Sequence, residues 1–421
     1  MAIVGVTFAI PISIAIYCGE PEVLLSFIIP MILSFVFFLS VYIPFRKVKF
    51  RLSIRQTFAI VALCWITASF MGAMPLYFSR TFPSFTDAFF ESVSGFTTTG
   101  CSVCPSVEDL PRSINMWRCL THWLGGMGIV TLTVALLPLL GIGGFRLIKA
   151  ETTGPEKGKV TARITTTAKI LWLIYASLTL IEAILLRICG MDTIDAFAHA
   201  FSTLGTGGFS SRNASIGAWN SPAIDYVITI FMLLSGVNFS LFYYLIARKV
   251  SDIFSNSEFR YYIGIVICSV TIVVLCLIPY FNNFGDSFRY GIFQVASIVT
   301  TTGFGTNDYI LWPSSAQFIL FLLFFIGGSS GSTSGGIKVI RWVILGKQVH
   351  NETEKMLHPH GVFSIRLDGR PGRKDIVFNV AAFLMLYIAL LMITTFIGTF
   401  GKLDIFTSFT AAASMVGNIG P

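Results

Sequence analysis

Charged residues are scarce in this sequence of 421 residues. Asp, Glu, Lys and Arg together make up 12% of it, whereas an average soluble domain carries about 25%. Residues with apolar side chains make up 54%. With so little charge the chain cannot present a water-soluble surface around a buried core. The composition therefore excludes an ordinary soluble domain and indicates an integral membrane protein.

The signatures of common enzyme sites are also missing. No nucleophile stands in a pattern with a base, and the spacing of Cys101 and Cys104 is weak evidence for zinc without a second cysteine pair. The glycine-rich stretch near residue 330 lacks the order Gly-x-x-x-x-Gly-Lys-Ser/Thr of a phosphate-binding loop. We therefore expect no enzyme activity and no covalently bound cofactor. An oxidising compartment would permit a disulfide among Cys101, Cys104 and Cys119.

Apolar stretches of about 20 residues, the length that crosses the hydrocarbon core of a membrane, recur along the chain. Two open it, at 2–18 and 22–45. The first lacks the basic residues that precede the apolar part of a signal peptide, and a second stretch follows almost at once, so we expect it to be retained. The later predicted spans are 57–78, 117–140, 170–189, 223–247, 261–280 and 375–400.

Lys and Arg concentrate in alternate short loops between these spans. This distribution, rather than a nucleic-acid partner, accounts for the formal net charge of +8, because cytosolic loops of membrane proteins are enriched in basic residues. The basic clusters lie at 46–55, 146–163, 248–260 and 347–374. We therefore expect a multi-pass plasma-membrane protein with its N-terminus inside and with outer loops around 79–116, 188–221 and 281–314.

One segment recurs four times between the spans. Residues 87–100 and 195–208 both begin Asp-Ala-Phe and end in a glycine at the same distance, and residues 290–303 end in the same Thr-Thr-Thr-Gly as the first copy. A fourth copy, 404–420, is looser, and its glycine comes three residues later when Asp404 is matched to the aspartate of the first copy. Three close copies at equivalent places favour a repeated unit over ordinary turns at helix ends.

Each copy combines a short amphipathic stretch with a loop rich in Gly and Thr. A stretch of about ten residues is too short to cross the membrane, and irregular backbone at membrane depth is tolerated only beside protein or water. We therefore expect four re-entrant loops around a water-filled axis. Glycine permits left-handed φ angles, so successive carbonyl oxygens can replace the water around an ion, and threonine hydroxyls would be spare ligands.

The charge of these loops favours a monovalent cation. The C-terminal end of each short helix would direct its partial negative charge at the axis. No Asp or Glu interrupts the runs 97–100, 205–208 or 300–303, whereas rings of carboxylates are typical of other cation pores. The loops therefore favour K⁺ or Na⁺ over Ca²⁺.

A further glycine-rich run interrupts the apolar stretch that begins at 315–326. Such small residues do not hold a straight helix in lipid without partners, so we expect a flexible intramembrane loop that gates the ion path. Close helix packing through small residues is the alternative. The residues of the predicted gating loop are Gly327, Gly328, Ser329, Ser330, Gly331, Ser332, Thr333, Ser334, Gly335, Gly336 and Lys338.

With these features the chain resembles the membrane subunits of the Trk/Ktr/HKT superfamily of K⁺ transporters, most closely the TrkH family. The resemblance covers nearly the whole chain and includes two extra N-terminal spans, four span–loop–span units and the Gly-Asn-Ile-Gly-Pro ending of the fourth loop. It implies an all-α membrane fold with filter glycines at Gly100, Gly208, Gly303 and Gly420. The implied K⁺ selectivity filter consists of Thr97, Thr98, Thr99, Gly100, Gly205, Thr206, Gly207, Gly208, Thr300, Thr301, Thr302, Gly303, Gly417, Asn418, Ile419 and Gly420.

The resemblance also implies partners and a division of the chain. The partners are a second copy of the chain, membrane lipid and a cytosolic ring of nucleotide-binding TrkA-type regulatory subunits. The span expected after the fourth loop would lie beyond Pro421. The expected parts are an N-terminal hairpin at 1–45, pore repeats at 46–145, 146–250 and 251–348, with the gating loop at 327–336, and a fourth repeat at 349–421.

A secondary transporter coupled to Na⁺ or H⁺ is the second hypothesis. Such proteins use broken helices and ionisable residues within the membrane, and Glu182 and Glu91 are the candidates here. The second and third copies carry His199 and Gln294 at the place of Glu91, a variation that fits local support better than ion coupling. The sequence therefore favours K⁺ uptake through a gated pore, with the regulatory ring docked at 145–169 and 344–374.

Overall fold

The computed structural model describes residues 1–46, 54–140, 157–361, 363–367, 370–371 and 375–420. Most of the basic cluster at 46–55, part of those at 146–163 and 347–374, and Pro421 lie outside these residues. Within the described part the regular secondary structure is helical apart from one small hairpin, so the all-α prediction is confirmed there.

The described helices are joined by short turns or by irregular stretches of about 15 residues, such as 97–111 and 324–338. A hairpin of strand β1 (Arg366–Leu367) and strand β2 (Arg370–Pro371), paired antiparallel, interrupts them near the end. Two 3₁₀ turns lie at Ser215–Trp219 and Tyr309–Leu311. The helices are α1 Ala2–Thr7, α2 Ala9–Cys18, α3 Pro21–Phe45, α4 Ile54–Phe78, α5 Phe85–Phe96, α6 Arg112–Leu140, α7 Lys157–Ile188, α8 Thr193–Gly205, α9 Pro222–Ser235, α10 Phe239–Ile246, α11 Val250–Phe254, α12 Ser257–Phe281, α13 Phe284–Val299, α14 Ser314–Leu323, α15 Val339–Leu357, α16 Asp375–Thr399 and α17 Ile405–Gly417.

Five of the described helices are long and apolar enough to cross a membrane. On α16, the side chains of Phe378 and Leu386 are 77% and 71% exposed. Water would not favour such large apolar surfaces on a stable protein, so these faces belong in lipid. The prediction of a multi-pass membrane protein is confirmed by the segments Pro21–Phe45, Phe58–Phe78, Thr167–Ile188, Ser257–Phe281 and Ile376–Thr399.

The first predicted span is a helix in two parts, α1 and α2, which meet at Phe8. The ring of Phe8 is fully buried, and its centroid lies 4.4 Å from that of Trp117 on α6 and 6.3 Å from that of Phe27 on α3. The N-terminal helices are therefore packed against the first repeated unit by aromatic contacts.

The predicted span at 223–247 is formed by two helices, α9 and α10, rather than by one. The chain bends by 96° between α9 and α10. Asn238 begins α10 by accepting a hydrogen bond from the N–H of Ser240 at 2.9 Å, as helix-starting asparagines do. The turn also leaves the carbonyl of Gly236 to accept a bond from another part of the chain, the N–H of Ser329.

A second interruption was predicted, and it is confirmed. Helix α14 ends at Leu323 and α15 begins at Val339, so the glycine-rich run lies in a non-helical stretch that we call the 324–338 segment. This stretch is not exposed loop, because Ser329, Ser332 and Thr333 are each at most 1% exposed. It is a buried, irregular stretch between two helices.

Four helices of 12 to 16 residues, α5, α8, α13 and α17, are too short to cross a membrane. Each packs against the long helix that precedes it, α4, α7, α12 or α16. In addition, α6 packs on α8 and α9 packs on α13, which links the first unit to the second and the second to the third. We name the ends of the short helices L1 (97–100), L2 (205–208), L3 (300–303) and L4 (417–420).

Candidate functional site

The last turn of every short helix is closed by the same pair of backbone hydrogen bonds. In L1, the N–H of Thr99 donates to the carbonyl of Ser94 at 2.9 Å, and that of Thr98 donates to Gly95 at 3.1 Å. Such a pair stops a helix by passing the chain through one left-handed residue. The same bonds run from Gly207 to Ser202 and Thr206 to Thr203, from Thr302 to Ser297 and Thr301 to Ile298, and from Ile419 to Ser414 and Asn418 to Met415.

Two positions in each loop end have a left-handed φ angle. The first is Thr98, Thr206, Thr301 or Asn418, with φ between 53° and 58°. A β-branched residue rarely adopts this angle, so the surrounding structure must hold the three threonines there. The second is the predicted filter glycine, with φ of 81° at Gly100, 81° at Gly208, 86° at Gly303 and 91° at Gly420.

The structure corrects the alignment of the fourth copy. Asp404 caps the N-terminus of α17, as Ser84 caps α5 and Asp192 caps α8, and each cap lies sixteen residues before its filter glycine. Matching Asp404 to Asp87 was therefore wrong, and the apparent three-residue offset disappears. A serine missed in the sequence comparison also falls into place six residues before the glycine, so that the series is Ser94, Ser202, Ser297 and Ser414.

Each filter glycine lies against the backbone of the next loop end. A side-chain carbon placed on Gly303 would come 2.5 Å from the carbonyl oxygen of Ile419, and one on Gly420 would come 3.1 Å from that of Thr99. The contacts therefore follow chain order and return from L4 to L1. The complete series pairs Gly100 with the carbonyl oxygen of Gly207, Gly208 with that of Thr302, Gly303 with that of Ile419 and Gly420 with that of Thr99.

Threonine hydroxyls bind the loops together. The hydroxyls of Thr97 and Thr99 lie 2.7 Å apart, and those of Thr300 and Thr302 lie 2.8 Å apart. Thr99 also donates to the side-chain oxygen of Asn418 at 2.7 Å, which joins L1 to L4. The threonine hydroxyls predicted as additional ion ligands therefore also take part in hydrogen bonds within and between the loops.

The 324–338 segment touches all four units. The N–H of Gly335 donates to the hydroxyl of Thr301 in L3 at 2.6 Å, and a side-chain carbon on Gly335 would meet Cβ of Asn418 in L4 at 2.6 Å. Thr333 reaches the other two units. Its hydroxyl lies 3.3 Å from the carbonyl of Ser235 on α9, and its methyl group faces Gly126 on α6. The segment therefore crosses directly behind the loop ends.

Sequence reasoning missed the residue that anchors this segment, Glu258 at the start of α12. Its buried carboxylate accepts hydrogen bonds from the N–H of Ser330 at 2.6 Å and from the N–H of Ile340 at 3.3 Å. Lys338 donates to the hydroxyl of Ser332 at 3.3 Å and to the carbonyl of Ser334. The sequence did offer one signal for this role, since Glu258 is an acidic residue near the end of the basic cluster 248–260.

The two glutamates considered for ion coupling have different surroundings. Glu91 on α5 forms a buried ion pair with Arg118 on α6, with 2.6 Å between Oε1 and Nη2. Arg118 was not singled out from the sequence, although a basic residue inside the predicted span 117–140 implied a partner of opposite charge. Glu182 is fully buried on α7, beside Thr203 of α8.

The cysteines give no metal centre within the described residues. No group of three or more His, Cys, Asp or Glu side chains comes together there in a way that could hold a metal ion. Cys101, Cys104 and Cys119 each carry a free thiol.

Comparison with known proteins gives a consistent result over nearly the whole chain. A family model described as TrkH, cation transport protein, matches residues 25–421. The Trk system potassium uptake protein TrkH of Escherichia coli (strain K12) is 42% identical over 388 residues, which cover 90% of this chain and 79% of that protein. TrkG of the same strain, also named a Trk system potassium uptake protein, is 34% identical over 421 residues, with coverage of 97% and 85%.

A solved structure is also similar. The crystal structure of the potassium transporter TrkH from Vibrio parahaemolyticus matches with a TM-score of 0.91 and 34% sequence identity. The match covers 100% of this chain and 88% of that chain.

Proposed function

This chain belongs to the TrkH family of cation transport proteins, and we propose that it takes up K⁺ across the plasma membrane through a pore lined by L1–L4. One observation carries the proposal: the four loop ends share one backbone conformation, and each filter glycine lies against a carbonyl of the next loop. Loops in contact in a closed order can surround an axis. Their carbonyl oxygens can then supply the ligands that K⁺ needs in place of water.

The short helices add an electrostatic contribution. L1–L4 lie at the C-terminal ends of α5, α8, α13 and α17, where the partial charge of a helix is negative. The left-handed glycines allow this backbone to turn without a side chain against the neighbouring loop. Such a site favours a dehydrated monovalent cation. The proposed activity is accordingly that of a transporter rather than an enzyme.

We further propose that the 324–338 segment is the gate. Its contacts with Thr301 and Asn418 place it against L3 and L4, and its bond to Gly236 seats it in the bend between α9 and α10. Because its backbone is held by a few named hydrogen bonds rather than by the regular bonds of a helix, it can move without unfolding a span. The alternative, a passive packing break, requires no such set of bonds.

Movement of the gate would be controlled from the cytosolic side. Helix α15 continues directly from the segment. A force on α15 therefore acts on Lys338 and on the hydrogen bonds of its ammonium group to Ser332 and Ser334. We propose TrkA-type regulatory subunits as the source of that force, docked at 145–169 and 344–374. Of these loops, 145–156, 362, 368–369 and 372–374 lie outside the described residues. A homodimer surrounded by lipid is the proposed assembly.

Docking is tested by pull-down of the full-length protein with a TrkA-type subunit. Charge reversal of the half-buried Lys347 together with the exposed Lys355, both on α15, is expected to weaken capture. Charge reversal of Arg80, in an outer loop, is the control. Capture that survives reversal or deletion in both inner loops would contradict the docking site.

The function itself is tested by uptake of radioactive Rb⁺ into vesicles that contain the full-length protein. Rb⁺ replaces K⁺ in carbonyl sites, so we expect uptake that excess K⁺ abolishes and that excess Na⁺ reduces only weakly. Empty vesicles provide the background. Inhibition by Na⁺ as strong as that by K⁺ would contradict a K⁺ filter.

One observation keeps the coupled transporter as a second candidate. Glu182 is a fully buried carboxylate beside a short helix, and intramembrane acids often serve coupling ions. The same vesicles distinguish the two functions. A pore needs no second ion, so Rb⁺ uptake persists when Na⁺ is replaced and the proton gradient is collapsed, whereas a coupled transporter stops.

A further inference from the structure

The chain that follows the filter glycine of L1 is held by a buried carboxylate. Glu91 accepts hydrogen bonds from the hydroxyl of Ser102 at 2.9 and 3.2 Å and from the N–H of Val103 at 3.1 Å. Ser102 is two residues beyond Gly100. Glu91, on the short helix before L1, therefore bonds the stretch of chain that leaves L1. These bonds fix the backbone immediately after L1.

Arg118 holds this carboxylate in place and also touches the next loop. Its Nε donates to Glu91 at 2.7 Å, its Nη2 donates to the hydroxyl of Ser102 at 3.1 Å, and its Nη1 donates to Asn115 at 3.0 Å. The guanidinium carbon lies 4.3 Å from the ring centre of Phe209, the residue that follows the filter glycine of L2. The ion pair therefore supports L1 and faces L2.

L2 has a weaker version of the same arrangement. His199, nine residues before its filter glycine as Glu91 is in L1, lies 2.9 Å through Nε2 from the hydroxyl of Ser210, two residues after that glycine. In L3 the corresponding residues are Gln294 and Gly305, so the serine hydroxyl is missing. The side-chain oxygen of Gln294 has no hydrogen-bond partner in the part of the chain that the structure describes.

We infer that Glu91 and Arg118 are positioning residues for ion discrimination, which they exert by fixing the backbone of L1 through Ser102 and Val103. This inference rests on the proposed function, since it assumes that L1 is part of a filter. L1 has a carboxylate with several bonds behind it, L2 has one histidine–serine contact, and the glutamine oxygen of L3 has no partner among the described residues. L1 is therefore the most firmly held of the first three loops. Loss of its support lets the carbonyl oxygens of L1 adapt to a smaller ion, so Na⁺ competes better.

The test measures how strongly Na⁺ and K⁺ inhibit Rb⁺ uptake in vesicles, corrected for the amount of folded protein. We expect Na⁺ inhibition to strengthen about fivefold in Glu91→Gln, the factor that corresponds to one ordinary hydrogen bond. Ser102→Ala removes a hydroxyl but leaves the ion pair, so it tests the same support without an unpaired buried charge. It is expected to change Na⁺ inhibition in the same direction.

A second ion pair provides a matched control. Asp225 on α9 and Arg289 on α13 are also buried and also 2.6 Å apart, but they lie toward the start of α13 and bond to no residue of L3. Asp225→Asn therefore removes a comparable charge. It is expected to reduce the amount of folded protein while the ratio of Na⁺ to K⁺ inhibition stays that of the unaltered protein.

Gly100→Ser distinguishes failure of the positioning role from failure of the filter assignment. If Gly100→Ser strengthens Na⁺ inhibition and neither Glu91→Gln nor Ser102→Ala does, the positioning role is wrong and the filter stands. If Gly100→Ser also has no effect, the filter assignment fails, and the positioning role fails with it. If Asp225→Asn changes the ratio as much as Glu91→Gln, the effect is one of general stability and the inference is overturned.

Discussion

The backbone N–H of Gly335 donates a hydrogen bond of 2.6 Å to the hydroxyl oxygen of Thr301. Thr301 is the left-handed residue that ends α13, so this bond joins the 324–338 segment to L3. The corresponding hydroxyls of Thr98 and Thr206 instead donate to carbonyls of their own loops, both at 2.7 Å. Among these three loops, L3 is the one whose left-handed threonine holds the proposed gate.

Replacement of Thr301 by Val should loosen the gate. The substitution keeps the shape of the side chain but leaves the N–H of Gly335 without this acceptor, and one neutral hydrogen bond contributes about 1 kcal/mol. We expect Rb⁺ uptake without regulatory subunits to rise about fivefold. Thr229→Val is the control, since that hydroxyl bonds a carbonyl of its own helix, α9. Uptake equal in the two variants would contradict a restraint on the gate at this bond.

Replacement of Glu258 by Gln should have a larger effect. The charged carboxylate accepts bonds from Ser330 within the gate and from Ile340 just beyond it on α15, and bonds to a charged group contribute about 1.5–3 kcal/mol. We expect higher uptake than in Thr301→Val, with the preference for K⁺ over Na⁺ unchanged because L1–L4 are not altered. Measurement of uptake with K⁺ and Na⁺ as competitors tests both statements.

Glu20→Gln is the matched control for Glu258. Glu20 also accepts N–H groups at the start of a helix, from Arg112 at 2.8 Å and Ser113 at 3.2 Å, but it is far along the chain from the gate and makes no bond to it. Its replacement is expected to leave Rb⁺ uptake unchanged per folded molecule. An increase as large as that in Glu258→Gln would show that any lost helix cap raises uptake.

Deletion of several residues within 329–335 should open the path and uncouple it from control. The deleted stretch includes the contacts with Gly236 and Thr301, so little of the segment would remain against the loops. We expect higher Rb⁺ flux, a smaller response to nucleotide in the presence of TrkA-type subunits, and unchanged ion preference. A folded deletion variant with unaltered flux and unaltered regulation would mean that the segment is only a packing break.

Serine substitutions at the filter glycines should relax selectivity without unfolding the protein. At Gly100 and Gly303 the added carbon meets a carbonyl oxygen of the next loop at 2.5 Å or less, whereas at Gly420 the same distance is 3.1 Å. All three positions have a positive φ, so each substitution adds strain. We therefore expect stronger Na⁺ inhibition of Rb⁺ uptake in Gly100→Ser and Gly303→Ser than in Gly420→Ser.

Gly264→Ser is the control for this series. Gly264 lies on α12 outside the four loops, its φ is not in the left-handed region, and a side-chain carbon there would meet no atom beyond its own stretch of helix within 4 Å. We expect this variant to keep the inhibition pattern of the unaltered protein. Unchanged discrimination in both Gly100→Ser and Gly303→Ser would contradict the assignment of these loops.

The amino-acid sequence alone was sufficient for the features that depend on neighbouring residues. Membrane spans follow from runs of apolar residues, and the short helices follow from a repeated pattern that ends in Gly-rich loops. The interruption at 327–336 also follows from local composition, because a dense run of Gly and Ser does not sustain a helix. These predictions required no knowledge of which distant residues meet.

The features that the sequence did not reveal depended on such distant contacts. The bend within the span at 223–247 was not predicted, because nothing near Gly236 reveals that its carbonyl accepts the N–H of Ser329 from another unit. The hydrogen bond from Thr99 of L1 to Asn418 was not predicted either, because the two residues are more than 300 positions apart. Asp404 was matched to the wrong aspartate because its role as a helix cap is a matter of geometry rather than of residue type.

The tertiary structure also decided which charges have partners. Glu258 and Glu91 are ordinary acidic residues in the sequence, but folding brings the first to Ser330 and the second to Arg118 and Ser102. A buried carboxylate is stable only where hydrogen bonds and opposite charge compensate for lost water, and those partners come from separate helices. The sequence thus determined that the chain has four loops and a break, whereas packing between helices determined what holds each of them in place.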